Sequence, residues 1–319
     1  MEDKKLITLF MLVTDRDCII ADYAIKSYHK IYVQKTEFGF LDFVLIVYLN
    51  CLSVENKNKY VKKWQDYPHT LLYDNAEKIE SIGRPYPGQQ IVSPEGIVRS
   101  RDDYAESYDE LWTDELKKFN TPFIATVDAD FEILDADFYF YLLQQLKENP
   151  RHIGASCSYD VTTYTYDTYS KRNIILSERN HTWFCIYRKE AFKLSQISHF
   201  YYETLTNEGK VLAYDSAAYF QHDLRTKHQC TFAVLPKVFE SSFVHYGAGS
   251  KNKSLNSRNL RFYRNIFLLS RIGLFYGKGN LAKIFINTLI RKIAGKLFSS
   301  YLNRFTKERS VYVYDETNN

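Results

Sequence analysis

The segment Thr121-Pro-Phe-Ile-Ala-Thr-Val-Asp128-Ala-Asp130-Phe-Glu-Ile-Leu134 constrains this chain more than any other. A short apolar run rich in strand formers breaks off at two carboxylates spaced i, i+2. Runs of this kind read as buried strands. In α/β folds, ligands bind just beyond the carboxyl ends of such strands. Two hard oxygen ligands at that place suit a divalent cation, and a cation there can hold a diphosphate. The plainer alternative is an acidic turn after a strand. A second copy of the pattern, Asp135-Ala-Asp137, serves as a control. No comparable apolar run precedes it, and Phe138-Tyr-Phe-Tyr-Leu-Leu-Gln-Gln-Leu146 after it reads as a helix. Asp135 or Asp137 is therefore expected as the N-cap or first-turn acid of that helix, where the dipole favours negative charge.

Three strand–helix units precede this segment. Leu6–Val13 reads as a buried strand followed by Thr14-Asp15-Arg16-Asp17, and Cys18–Tyr32 as a helix. Phe43–Leu49 reads as a second buried strand ending at Asn50, and Val54–Tyr67 as a helix. Thr70–Tyr73 reads as a short third strand ending at Asp74. Such a series predicts a parallel sheet with a nucleotide site at its carboxyl edge. Residues 83–90 are rich in Pro and Gly and read as a loop, and Asp102–Lys118 reads as a helix. Alternation in Ser156-Cys-Ser-Tyr-Asp-Val-Thr-Thr-Tyr-Thr-Tyr166 predicts antiparallel strands. His181–Tyr187 is strand-like, Arg188–Phe192 opens a helix, and residues 232–236 and 239–245 resemble late edge strands.

With 319 residues the chain is long enough for one large domain and an appendage. Its 27 Tyr and 22 Phe suit sugar stacking, although an AT-rich coding sequence accounts for the same excess. The five cysteines, Cys18, Cys51, Cys157, Cys185 and Cys230, are odd in number and widely spaced. That argues against a zinc knuckle or a disulfide framework and fits a reducing compartment. No h-region with a small-residue cleavage site follows Met-Glu-Asp-Lys-Lys, so no signal peptide is expected. From residue 251 onward, 14 Lys and Arg face three acids, a net charge of +11, while residues 1–250 carry −7. An acidic body, residues 1–250, is thus joined to a basic extension, residues 251–319.

Four signatures, in this order, resemble the GT-A glycosyltransferases and in particular the inverting family 2. They are the strand with Asp128-Ala-Asp130; Trp183-Phe-Cys-Ile-Tyr-Arg188-Lys-Glu-Ala-Phe192; Tyr214-Asp215-Ser-Ala-Ala-Tyr-Phe-Gln-His-Asp223-Leu-Arg225; and Phe243-Val-His245-Tyr-Gly247-Ala-Gly249-Ser250. Together they span about residues 5–250. The family's acidic motif is usually Glu-Asp and here is Tyr214-Asp215, which leaves Asp223 as a rival. The usual Asn-rich segment after the first strand is here Thr14-Asp15-Arg16-Asp17.

The resemblance implies a GT-A α/β fold and transfer of a sugar, with inversion, from a nucleoside-diphosphate sugar, UDP-sugar favoured. The acceptor implied is a saccharide or lipid-linked saccharide. Direct displacement at the anomeric carbon needs a base on the acceptor hydroxyl and stabilisation of the leaving diphosphate. Asp215 is the expected base, with a helix N-cap as its plainer role. Asp130 is the expected principal metal ligand, and Asp128 contacts ribose or reaches the metal through water. His245 completes the metal shell, touches phosphate, or is structural. Mn²⁺ or Mg²⁺ fits carboxylates with one imidazole. Thr14, Asp15, Asn50 and Asp74 lie at the ends of the first three strands, and one or two of Asp15, Asn50 and Asp74 are expected to bind uracil or ribose. Arg99 and Arg101 are phosphate candidates or solvated surface.

The extension contains Asn280–Tyr301, with apolar residues at 281, 284, 285, 289, 293 and 297 and Lys283, Asn287, Arg291, Lys292 and Lys296 between them. This is helical spacing with a cationic side. No run of about 18 apolar residues exists to span a bilayer. An anionic membrane surface is the expected partner, at the cytoplasmic face. Packing on the acidic body is the alternative, and no nucleic-acid motif is present. Two other readings of the whole chain remain: a nucleotidyltransferase, which calls for a Gly-rich basic loop after the first strand, and a non-catalytic sugar-nucleotide binding protein.

Overall fold

The computed structural model describes residues 6–15, 17–32, 35–36, 39–40, 43–50, 52–67, 70–74, 90–92, 98–100, 120–167, 172–197, 201–215, 217–246 and 293. The expected helix over 102–118, Arg101, most of the 83–90 loop and nearly all of the basic extension lie outside them. Among the described residues no helix is long and apolar enough to cross a membrane.

A seven-stranded sheet organises the body. Its order is Thr231–Val234, His152–Ser156, Phe184–Arg188, Phe123–Asp128, Ile7–Thr14, Phe43–Asn50, Thr70–Asp74. Phe123–Asp128, Ile7–Thr14, Phe43–Asn50 and Thr70–Asp74 run parallel, so the predicted parallel sheet is present in this half. Phe184–Arg188 is antiparallel to both its neighbours, which makes the whole sheet mixed. The fold is α/β.

Period-2 geometry explains why the central strands read as unbroken apolar runs. Successive side chains point to opposite faces, and helices or loops cover both. Ile7, Leu9, Met11 and Val13 join one core with Ile25 and Tyr28 of the helix Cys18–Tyr32 and with Phe138 and Leu142 of the helix Asp137–Glu148. Phe10 and Leu12 of the same strand join the opposite core with Ile46, Ile124, Tyr187 and Phe220.

The helix expected over Val54–Tyr67 is three pieces, an α turn Val54–Asn56, a π turn Lys57–Val61 and an α turn Lys62–Gln65. Ser53 caps its start, its hydroxyl accepting from Asn56 N at 3.3 Å. Asp137 opens the helix Asp137–Glu148, and the Asp135 carboxylate accepts from Asp137 N at 3.0 Å. The second Asp-x-Asp is thus helix-opening. A separate six-stranded sheet has Thr163–Asp167 and Arg172–Leu176 at one side and Val98–Ser100 and Gln90–Val92 at the other. Thr231–Val234 is an edge strand as expected. The 239–245 run differs, because Lys237–Ser241 forms a 3₁₀ turn and only Phe243–His245 is extended.

Candidate functional site

The strand Phe123–Asp128 is buried through Val127 and ends where Asp128 turns half out to solvent. Asp128 N donates to Trp183 O at 3.0 Å, which fastens the strand end to the neighbouring segment. After the turn at Ala129-Asp130, Phe131–Ile133 pairs antiparallel with Phe243–His245, and His245 sits opposite Phe131. Tyr246 N then donates to Asp130 O at 3.1 Å and closes the turn. Two short strands therefore bring together residues more than a hundred positions apart in sequence.

The result is one cluster. Ligand atoms of Asp128, Asp130 and His245 lie within 4.8 Å of one another. His245 Nε2 is 3.3 Å from Asp130 Oδ1 and 3.7 Å from Asp128 Oδ2. Its ring stacks on Trp183 with centroids 4.5 Å apart and planes 8° from parallel. Burial alone would push the imidazole towards neutrality. The Asp128 and Asp130 carboxylates outweigh it and push His245 up to about 10. Two carboxylates and an imidazole fit a divalent cation of the Mn²⁺ or Mg²⁺ kind, since each offers a hard or borderline donor and the net charge is negative once the imidazole is neutral.

A third acid belongs to this neighbourhood, and sequence reasoning did not assign it. Asp17 is buried, and its Oδ2 accepts from Thr14 N at 2.9 Å and Thr14 Oγ1 at 2.6 Å. Burial first, and then the charges of Asp130 and Asp128, hold its carboxyl above the usual value. The signal was present as a further i, i+2 acid pair, Asp15 and Asp17, at the end of the first strand.

The other strand-end residues divide. Thr14 is occupied by Asp17. Asp15 Oδ1 accepts from Ser53 N at 2.6 Å and Asn56 Nδ2 at 2.9 Å, so it ties the first loop to the second. Asp74 Oδ2 pairs with Lys57 Nζ at 2.5 Å. Asn50 is buried, and its Oδ1 has no hydrogen-bond partner among the described residues. Of Arg99 only the backbone, on the strand Val98–Ser100, is described.

Asp215 precedes, and its rival Asp223 lies within, one helix, Ala218–Thr226. Asp215 precedes the helix, is partly exposed, and its Oδ2 lies 2.6 Å from Arg179 Nη1. Its carbonyl, not its carboxylate, accepts from Ala218 N at 2.7 Å. The turn between them places Ala217 in the left-handed region at φ 62°, a strained position for a residue with a Cβ. Asp223 is buried within the helix, 2.8 Å from Lys227 Nζ and hydrogen-bonded to Ser195. Burial opposes its ionisation, but these partners hold the carboxyl below the usual range.

Arg179, Asp160 and His181 were not singled out by sequence. They connect Asp215 to the cluster. Arg179 Nε is 3.8 Å from Asp160 Oδ2, and Asp160 Oδ2 is 2.7 Å from His181 Nε2. The His181 ring lies 5.6 Å from that of Trp183, which stacks on His245. No spacing rule announces them, because they meet through pairing of the short strands Tyr159–Asp160 and Arg179–Asn180.

No family model matches this chain, and no curated protein matches it. Among solved structures it is similar to Staphylococcus aureus TarS 1-349, at 13% identity and TM-score 0.41, over 98% of this chain and 73% of that one. It is also similar to the mannosyltransferase PcManGT from Pyrobaculum calidifontis in complex with GDP-Man and Mn²⁺, at 10% identity and TM-score 0.45, over 94% of this chain and 75% of that one. A third is the WbbM bifunctional glycosyltransferase, at 12% identity and TM-score 0.38, over 74% of this chain and 40% of that one. Similarity at this level leaves function to the geometry of the site.

Proposed function

We propose that this chain is a metal-dependent glycosyltransferase that moves a sugar, with inversion, from a nucleoside-diphosphate sugar to a saccharide or lipid-linked saccharide. The observation that carries this reading is the convergence of Asp128, Asp130 and His245 at the carboxyl end of a central parallel strand. That edge is where α/β sheets bind nucleotides. The orphaned, buried Asn50 Oδ1, at the end of the parallel strand Phe43–Asn50 on the far side of Ile7–Thr14, supplies an acceptor for a base N–H or a ribose hydroxyl.

Asp128, Asp130 and His245 would hold Mn²⁺ or Mg²⁺, and the bound cation would act as a Lewis acid on the leaving diphosphate. Asp215 accepts the proton of the acceptor hydroxyl at its carboxylate as that oxygen bonds to the anomeric carbon. The bond from that carbon to the diphosphate breaks on the opposite face, and the configuration inverts. UDP is the favoured donor nucleotide. The basic extension attaches the enzyme to anionic lipid at the inner face of the cell membrane, a reading supported by its +11 charge and helical apolar spacing.

Two experiments test these statements. Asp130→Ala should abolish Mn²⁺-dependent binding of UDP, measured by calorimetry, while the circular dichroism spectrum stays that of the wild type. Unchanged affinity would remove the metal site from the argument. Truncation before Asn280 should release the protein from anionic liposomes at low salt, and high salt should release the full chain. Equal co-sedimentation of both forms would favour packing of the extension on the body.

A further inference from the structure

We propose that Arg179 is a positioning residue for the transfer step, one that holds the Asp215 carboxylate in the orientation from which it takes the acceptor proton. The inference rests on the glycosyltransferase reading above. Arg179 Nη1 makes a 2.6 Å contact with Asp215 Oδ2, the length of a strong charge-assisted bond. Its Nε is buried with no hydrogen-bond partner among the described residues. The ion pair to Asp215 is thus the short contact that fixes the guanidinium.

Both members of the pair are anchored to one element. Arg179–Asn180 is a two-residue strand, too short to be rigid by itself. Gln221, fully buried on the helix Ala218–Thr226, clamps it on both sides. Asn180 N donates to Gln221 Oε1 at 2.7 Å, and Gln221 Nε2 donates to Asn180 O at 2.9 Å. Gln221 Nε2 also donates to Tyr187 OH at 2.9 Å, which ties the clamp to the central sheet. Asp215 is held at the start of the same helix through its carbonyl and Ala218 N. The helix therefore sets the distance between guanidinium and carboxylate.

Asp160 is the natural competitor for Arg179, since strand pairing places it directly opposite. His181 occupies it: His181 Nε2 is 2.7 Å from Asp160 Oδ2, against 3.8 Å for Arg179 Nε. The imidazole satisfies Asp160 and leaves the guanidinium to Asp215. An ion pair to a carboxylate as exposed as Asp215 contributes little to stability. Its value lies in orientation, and misplacement by about 1 Å can cost on the order of 10²-fold in rate.

The experiment is a double-mutant cycle on Arg179 and Asp215 in the full chain with Mn²⁺. A panel of UDP-, GDP- and dTDP-sugars supplies the donor, water serves as acceptor, and both kcat for donor hydrolysis and donor Kd are measured. Arg179→Ala should lower kcat about 10–100-fold with donor Kd unchanged, and Arg179→Lys should fall between it and the wild type. Arg179→Ala combined with Asp215→Asn should be no slower than Asp215→Asn alone, because a residue acting only through Asp215 has nothing left to position. Should Arg179→Ala fail to fold, Arg179→Lys carries the same cycle. Additive losses, unchanged kcat, faster turnover, or a donor Kd that weakens in proportion would overturn the assignment to Arg179 alone. A wild-type chain that binds no donor with Mn²⁺ would overturn the glycosyltransferase reading and this inference with it.

Discussion

Asp22 and Asp130 are equally buried, at 8% and 7% exposure, and the chain treats them in opposite ways. Asp22, on the helix Cys18–Tyr32, is closed by protein donors. Lys63 Nζ lies 2.6 Å from its Oδ1, Lys26 Nζ 2.9 Å from its Oδ2, and the buried Trp64 Nε1 donates at 3.2 Å. Asp130 and Asp128 both lie beside the imidazole of His245. Asp17 adds a third negative charge to the same neighbourhood. Collecting like charges in a poorly hydrated place costs folding energy. A buried acid surrounded by lysines serves stability. Acids gathered around one imidazole make sense for a cation that arrives from outside.

The largest effect that sharpens this contrast is on turnover. Asp215→Asn should lower kcat roughly 10²–10⁴-fold, the usual contribution of a general base, with donor affinity little changed. Asp223 belongs with Asp22, because it is buried and closed by Lys227 and Ser195. Asp223→Asn should therefore lower the melting temperature and leave kcat near the wild-type value. The reverse pattern in steady-state kinetics would exchange the two assignments.

A smaller effect separates the buried acids themselves. Asp22→Ala leaves the Trp64 indole N–H without an acceptor in a fully buried position, a cost of about 1–3 kcal/mol. Chemical denaturation should show that loss, and UDP affinity with Mn²⁺ should be unchanged. Asp130→Ala should do the opposite, leaving stability without metal equal to the wild type or higher. A large stability loss in Asp130→Ala would place Asp130 in the same class as Asp22 and break the comparison.

This division marks what the sequence could reveal. Strand ends were legible because an apolar run cut off by a carboxylate is a local pattern, and Asp128, Asp130 and Asn50 all end or follow such runs. The parallel half of the sheet was legible for the same reason. The antiparallel placing of Phe184–Arg188 was not, because pairing partners are set by topology and not by a strand's own residues. The Val54–Gln65 helix could be placed, but its π turn leaves no mark in apolar spacing. The roles of Asp15 and Asp74 as ties to the start of the helix after the second strand were hidden, since Ser53, Asn56 and Lys57 are distant from them in sequence. Arg179 and His181 were hidden as well, because their carboxylate partners, Asp215 and Asp160, are brought to them only by the fold.

The smallest expected effect is in acid, and its sign distinguishes the two kinds of site. Burial opposes ionisation of Asp22, but Lys63, Lys26 and Trp64 prevail and hold its carboxyl below the ordinary value of 3.8. A lowered folded value means that Asp22 contributes stability above pH 3.8, and the contribution is lost as pH falls through the depressed value. Asp17 runs the other way. Its folded value is raised, so its ionised form opposes folding, and protonation removes that cost as pH falls from neutrality through the raised value. Denaturation of wild type and Asp22→Ala at a series of pH values reads the first sign directly. The stability gap between them should be constant near neutrality and should narrow below about pH 4, once the wild-type carboxylate takes up its proton. Asp17→Asn gives the second sign. Its stability relative to the wild type should be most favourable near neutrality and should decline on acidification. A wild-type advantage over Asp17→Asn that shrinks on acidification, as the advantage over Asp22→Ala does, would mean that Asp17 is closed in the same manner as Asp22, and the case for an external cation would lose its electrostatic basis.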